Sequence, residues 1–512
     1  MSQTLAISLK RTVVALAASC VSGLLLLLVV YSLPIEPIQD RISQSVGIFI
    51  DEGTYPTLSN TSASRLDNFT DSKMLLTAGY NGKEPLLDRA LMGYSDILTD
   101  SGPVDSLISM YSDHDATDHD SALSKTTYAR YWQGYLVYLK PLLCVFNYGT
   151  IRLIIGLAMI MLSLSLIIRM LCSARLKIYT PPLCILYLTI SPFAISHSLQ
   201  YAPIFFISLI GIHIVLSLLR SQQIESISST TFEQKLYIVF LSIGITTNYF
   251  DFLTYPLLTL GVPLLFVVCL SEKRTFRPIL KALCIACLGW GIGYGGMWIS
   301  KWFIAAALSR NYNIIIDTLN QAAFRSFAST PADGLSTPEG FSVSAAIVRN
   351  ITQYCSPNAL IALGCGLLYY AIRLFYACSA NQYRPEIDAR LFANGIIALL
   401  PFLWTIVLSN HSFIHFWFTY RIFSLTGGAL LFSLAMMLES SQLSVNQNAG
   451  IKQRATTLPF DANNAIEQLN RKVQHGTGRQ PFADGNPASR AHNFPDSRTP
   501  LRVSRARSVA CM

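Results

Sequence analysis

Apolar residues in this chain are gathered into long blocks, not into a helical stripe or a strand-like alternation. Ten blocks stand out, at about 12–33, 151–171, 180–195, 202–219, 236–248, 253–270, 279–300, 357–378, 390–408 and 418–437. Most approach the roughly 20 residues that carry a helix across a bilayer. Inside lipid each backbone amide must find its partner within its own segment, so the blocks predict helices and not open strands. The block at 236–248 is short for a bilayer, which tilt, extension into the next turn or shelter by neighbours would accommodate. The block at 279–300 contains GWGIGYGG, whose small residues suit close helix packing. Between the first two blocks lies a polar segment, 34–133, followed by an amphipathic stretch at 134–147 that predicts a helix on the membrane surface. A second polar segment, 306–353, precedes the eighth block. The expectation is an all-α polytopic membrane protein of roughly ten transmembrane helices. Its core covers 1–437, with a large extracytoplasmic loop after the first helix. Residues 438–512, rich in Asn, Gln, Ser, Pro and Arg, predict a disordered basic cytoplasmic tail.

Composition agrees with that pattern. Hydrophobic residues make up 52% of the 512 and charged residues only 13%, against about 25% charged in a typical soluble domain. The net charge of +9 is not a nucleic-acid signal. Much of the excess lies beside the blocks and in the tail, where it orients the chain and meets anionic lipid heads. Short loops assigned to the inside carry Arg175, Lys177, Arg220, Lys235, Lys273, Arg274, Arg277, Arg384 and Arg390, while the turns near 197, 250 and 412 carry almost none before Arg421. This asymmetry predicts a multi-pass protein of the cell membrane with both termini in the cytoplasm. Lys10 and Arg11 precede a first block longer than a signal-peptide core and without a clear small-x-small site, so it reads as an uncleaved anchor.

Four segments carry candidate chemistry at the outer ends of the blocks, where buried ionisable groups mark cavities or partners. In RLDNFTDSKML, Asp67 and Asp71 stand four apart. On a helix they share a face and would bind a cation or supply a base, or else cap a helix start. In YARYWQGY, Arg130 and Trp132 among tyrosines suit a sugar phosphate, and equally an interfacial aromatic belt. In NYFDFLTYP, Asp251 is a functional carboxylate or a helix cap. In NHSFIHFWFTYR, His411 and His415 at i, i+4 would face a metal or phosphate. Near them, Tyr420 and Arg421 would hold a lipid-linked phosphate, unless Arg421 snorkels. No third metal ligand adjoins the histidines.

Other features carry less. The acidic stretch with Asp113, Asp115, Asp118 and Asp120 lacks the glycine and terminal glutamate of a calcium loop and reads as solvated. Most of the eleven cysteines lie in apolar blocks as small hydrophobes, and the Cys284/Cys287 pair has no companion ligands. Sequons at Asn60, Asn68, Asn350 and Asn410 fall outside in this topology.

An anchor helix, a large acidic outer loop, a surface helix and many hairpin spans together resemble the GT-C class of membrane glycosyltransferases, over about residues 10–437. The resemblance implies transfer of a sugar from a polyprenyl-phosphate donor to a cell-envelope acceptor on the outer face. It assigns the catalytic base to Asp67 or Asp71 and the carrier phosphate to Arg130 and Arg421. A divalent cation, Mg or Mn, would help to neutralise the leaving phosphate; the lipid-linked donor and membrane lipids are the expected partners. The alternative is a transporter or flippase for a lipid-linked or anionic substrate, which expects charges deep within several spans and broken helices near the midplane.

Overall fold

A computed structural model describes residues 2–112, 123–225, 228–327, 338–381 and 388–456. The acidic stretch at 113–120 and the tail from 457 lie outside the described residues. Residues 1–446 pack as one unit. Among the described residues the chain is mostly helical. It opens with α1 (Ser2–Tyr31) and a loop region of short helices: α2 (Glu36–Ser43), α3 (Val46–Glu52), α4 (Asn68–Gly79), α5 (Leu86–Met92) and α6 (Pro103–Tyr111). The two short strands, β1 (Ser95–Leu98) and β2 (Leu123–Thr126), pair antiparallel with Asp96 opposite Lys125. Next come α7 (Leu136–Leu143), α8 (Tyr148–Leu171), α9 (Thr180–Leu188), α10 (Pro192–Ser196), α11 (Ala202–Glu225), α12 (Ser229–Phe250), α13 (Leu257–Cys269) and α14 (Phe276–Ser309). The chain then forms α15 (Asn313–Phe327), α16 (Val343–Tyr354), α17 (Pro357–Asn381), α18 (Ala389–Val407), α19 (Ser409–Ile414), α20 (Phe416–Thr419) and α21 (Ser424–Thr456).

Among the described residues, seven helical stretches are long and apolar enough to cross a membrane: Leu9–Tyr31, Tyr148–Leu171, Ala202–Ile224, Phe276–Ser309, Pro357–Ser379, Ala389–Val407 and Phe416–Ser440. This is a membrane-embedded, all-α architecture. Leu153, Ile160, Leu360 and Phe392 are more than half exposed, as side chains facing lipid are. The helix α13 is too short for that set, and every one of its 13 residues is buried. A helix apolar all round belongs inside protein, and α13 is enclosed by α11, α12, α14 and α18. The 236–248 block belongs to a longer helix, the 22-residue α12. The last helix also runs past 437, where hydropathy ends. Glu439 near that point accepts from Arg175 Nε at 2.7 Å and Tyr179 OH at 2.6 Å, which anchors the helix where apolarity no longer does.

Two buried lysines hold the loop region to the bundle. Lys140 of α7 donates to Ala78 O at 2.8 Å, and Lys301 of α14 to Leu91 O at 2.5 Å. Each cation thus meets the unpaired carbonyl end of a loop helix, α4 or α5, where the helix dipole favours positive charge. The stretch at 134–147 forms only the short α7, whose Leu136, Leu139 and Leu143 are buried.

Close packing of α12 on α14 accounts for the glycine run. A Cβ on Gly293 would run into the Leu241 carbonyl, and one on Gly289 would come within 2.7 Å of Tyr237 O, whereas Gly291 and Gly295 face open space. Backbone cannot yield as a flexible side chain does. Gly293→Ala should therefore lower the unfolding midpoint in detergent, through a loss of about 1–3 kcal/mol in stability. Gly291→Ala should leave it unchanged or raise it slightly; equal loss in both variants would mean the helices do not meet along this face.

Candidate active-site cavity

The site is built on α4. Asp67 is its N-cap, with Oδ1 accepting from Thr70 N at 3.0 Å, and Asp71 stands one turn on. Both are buried, and from there their surroundings differ. Asp71 turns inward against the 198–201 turn that links α10 to α11. Its Oδ2 accepts from Tyr148 OH at 2.5 Å and Leu199 N at 2.9 Å; its Oδ1 accepts from Ser198 Oγ at 3.2 Å and Gln200 N at 3.3 Å. A carboxylate has about four acceptor positions, so Asp71 is saturated. Asp67 has three donors: Thr70 N, Thr70 Oγ1 at 3.1 Å and Gln200 Nε2 at 2.5 Å, the last two on Oδ2. One acceptor position on Oδ1 remains, and Asp67 borders a cavity of about 340 Å³. Burial raises both carboxyls above the usual 3.8, Asp71 to about 6.

Three cationic side chains, Lys73, Arg130 and Arg325, line the same cavity. The YARYW segment supplies an aromatic floor for them. Tyr128 and Tyr131 stack at 5.1 Å, and Phe252 meets both edge-on. Lys73 Nζ lies 4.2 Å from the Tyr128 ring centre and the Arg130 guanidinium 4.4 Å, while Arg325 donates to Tyr131 OH. Burial would push the Tyr128 phenol up, but Arg130, Arg325 and Lys73 outweigh it and draw it down to about 8. Arg130 also lies 3.5 Å from Asp317. Arg325 is placed by α19: Asn410 donates to Phe324 O at 2.8 Å and Ser409 to Ser326 O at 2.6 Å, one on either side of it.

The two histidines face each other at the cavity wall with ring centres 4.8 Å apart. His411 Nε2 donates to Leu253 O at 2.8 Å, and its buried Nδ1 has no partner among the described residues. Burial, with a contribution from Arg325, pulls both below 6.5, His415 to about 3. They are neutral at physiological pH and offer polarity without charge, so the positive potential comes from the lysine and arginines. Asp251 does not reach the cavity. Its carboxylate accepts from Leu253 N at 2.8 Å, Thr254 N at 3.1 Å and Thr254 Oγ1, capping a buried turn in which Leu253 takes φ 66°. That turn presents Phe252 to the cavity and Leu253 O to His411.

Trp132, Tyr420 and Arg421 lie in the core. Trp132 donates to Met297 O at 2.8 Å. Arg421 Nε donates to Ile190 O at 2.9 Å, so it satisfies the backbone where α9 breaks from α10, and Tyr420 OH donates to Ala63 O at 3.0 Å and lies 3.1 Å from Ser191 Oγ. The guanidinium sits 4.4 Å from the Tyr201 ring and 5.1 Å from Tyr420. The cavity therefore brings together Asp67, Arg130, His411 and His415 of the expected residues, and adds Lys73, Tyr128 and Arg325. Lys73 stood within the same acidic motif and Tyr128 within YARYW; nothing in the sequence marked Arg325 or Gln200. Sequons at Asn68, Asn350 and Asn410 are fully buried. Among the described residues, no three His, Cys, Asp or Glu side chains are grouped to hold a metal ion. No protein-family model, curated protein or solved structure matches this chain.

Saturation of Asp71 makes it the more costly carboxylate to change. In Asp71→Asn an amide NH₂ must face groups that are all donors, and each buried donor left unmade costs about 1–3 kcal/mol. Chemical denaturation should show Asp71→Asn losing about 2–4 kcal/mol and Asp67→Asn distinctly less. The reverse order would mean that the 198–201 turn is held by something else.

Proposed function

We propose that this chain is a membrane glycosyltransferase that moves a sugar from a polyprenyl-phosphate donor to a cell-envelope acceptor, with Asp67 as the base. One observation carries the reading: a buried carboxylate with an open acceptor position and three cationic side chains border one cavity. Its volume, about 340 Å³, lies in the range of small-ligand sites. The full architecture belongs to this reading: about ten passes, the α2–α6 region on the outer face and both termini in the cytoplasm.

The chemistry follows from the charges. An acceptor hydroxyl is a weak nucleophile, and Asp67 takes its proton as the oxygen attacks the anomeric carbon. The bond from that carbon to the phosphate oxygen breaks, and polyprenyl phosphate leaves with its negative charge. Lys73, Arg130 and Arg325 are fixed before the charge arrives, so they stabilise it without reorganising. Tyr128 and Phe252, which line the cavity, give the sugar ring apolar faces. Neutral His411, whose Nδ1 has no partner among the described residues, accepts a hydrogen bond from a sugar hydroxyl.

Transfer from a polyprenyl-phosphate sugar, followed by mass spectrometry of the product, tests this reading. Asp67→Asn should cut the rate by about 10²–10⁴-fold while the protein still inserts and binds polyprenyl phosphate. Arg325→Met and Lys73→Met should each weaken that binding about tenfold, or about 1.4 kcal/mol. The acid limb of the rate should fall above the ordinary carboxyl value of 3.8, because burial raises Asp67. Full activity in Asp67→Asn would remove the base. Flux of an intact lipid-linked substrate across proteoliposomes without product would favour a flippase instead.

A further inference from the structure

A second, larger hollow lies apart from the cavity. It is a groove of about 760 Å³ bounded by α3, α8, α10 and the start of α11, and it shares no lining residue with the Asp67 cavity. On α8 the lining recurs as Gly149, Arg152, Gly156, Ile160 and Leu164, one helical face. The fifteen steps of helix from Gly149 to Leu164 make the groove about 22 Å long, somewhat more than one leaflet of a hydrocarbon core, about 15 Å. Leu153, Leu157, Ile160 and Leu164 are each at least half exposed along it. The groove is therefore open sideways to lipid.

Its one charged end is unusual. Arg152 is 93% buried, at 7% exposure, and lines the groove near α3. Nη1 and Nη2 donate to the two oxygens of Glu52 at 2.6 and 2.9 Å, and Nη2 donates also to Asn68 Oδ1 at 3.1 Å. The guanidinium lies 4.3 Å from the Tyr148 ring centre, and Nε, buried with the other nitrogens, has no hydrogen-bond partner among the described residues. A buried N–H without an acceptor is costly, and here it belongs to a side chain on the wall of an apolar groove. Glu52 already matches the arginine's charge, so the groove end offers a strong donor with no net charge.

We propose that this groove is a binding site for one glycerophospholipid of the bilayer with a zwitterionic headgroup. One acyl chain lies along α8 between Gly156 and Leu164, and a phosphate or ester oxygen accepts from Arg152 Nε. A net-neutral headgroup suits the matched Arg152–Glu52 pair, where a purely anionic one would meet Glu52. Groove and cavity share no lining residue, so a lipid seated here is not the sugar donor of the Asp67 cavity. Asn68 links the two sites. It bonds Arg152 and Glu52 and is the residue next to Asp67, so an occupied groove steadies the N-terminus of α4 that carries the carboxylate. The binding itself stands whether or not the chain is a transferase.

The full chain, purified in mild detergent, can be extracted and its phospholipid counted by mass spectrometry, then delipidated and titrated with phosphatidylethanolamine. About one lipid should remain per chain, and re-addition should raise the unfolding midpoint. Gly156→Phe, whose Cβ meets only Ser196 at ordinary contact distance, should reduce retention at least fivefold. Leu164→Trp, on the exposed rim, should do the same and decides the matter where Gly156→Phe does not fold. Met161→Phe, a similar ring on a face of α8 outside the groove, should leave retention unchanged. Equal retention in folded Leu164→Trp, no lipid bound by the wild type, or displacement of the lipid by stoichiometric polyprenyl phosphate would each overturn the proposal.

Discussion

A single carboxylate, buried without a cation bonded to it, orders the middle of this molecule. Asp71 is held by a phenol, a serine hydroxyl and two backbone amides, and three of those four donors belong to one short turn, 198–200. Water is excluded there, so each missing bond would leave a donor with no substitute. The constraint runs outward from that turn. Gln200 reaches Asp67, the Leu199 carbonyl receives Tyr138, and the Tyr201 carbonyl receives Tyr255 while its ring lies beside Arg421. The loop helix α4, the start of α8 and the link from α10 to α11 are thereby fixed to one another through a polar core set within an apolar bundle.

That arrangement separates two carboxylates which a helical wheel treats as equals. Asp67 and Asp71 differ by one turn, yet Asp71 has every acceptor position filled, and Asp67 keeps one and borders a cavity. Their difference is a matter of available lone pairs, decided by a loop more than a hundred residues away in the chain. The same division recurs among the cations. Lys140, Lys301 and Arg421 serve backbone carbonyls at helix ends and breaks, and Lys73, Arg130 and Arg325 line the cavity. Burial alone does not distinguish these classes; what each nitrogen faces does.

The neutral histidines complete the electrostatic picture. With Arg325 nearby, further positive charge on His411 or His415 would be repelled as well as desolvated. The wall they form is polar but uncharged, and the positive charge of the cavity comes from Lys73, Arg130 and Arg325.

What the sequence by itself determined was the class of molecule: apolar blocks of bilayer length, a long polar segment after the first, and motifs rich in Asp, Tyr, His and Arg. Those features depend on local composition and period, because hydrophobicity and backbone self-satisfaction act segment by segment. Tertiary structure alone decided which motif residues border the cavity and which serve packing. Asp251 and Arg421 looked equal to Asp67 and Arg130 in the chain, yet each spends its hydrogen bonds on a turn or a helix break. Arg325 had no mark at all in its own segment and gains its place from Ser409 and Asn410 on another. The reason is that a polar group's role depends on which partners fill its bonding positions, and here those partners come from distant segments.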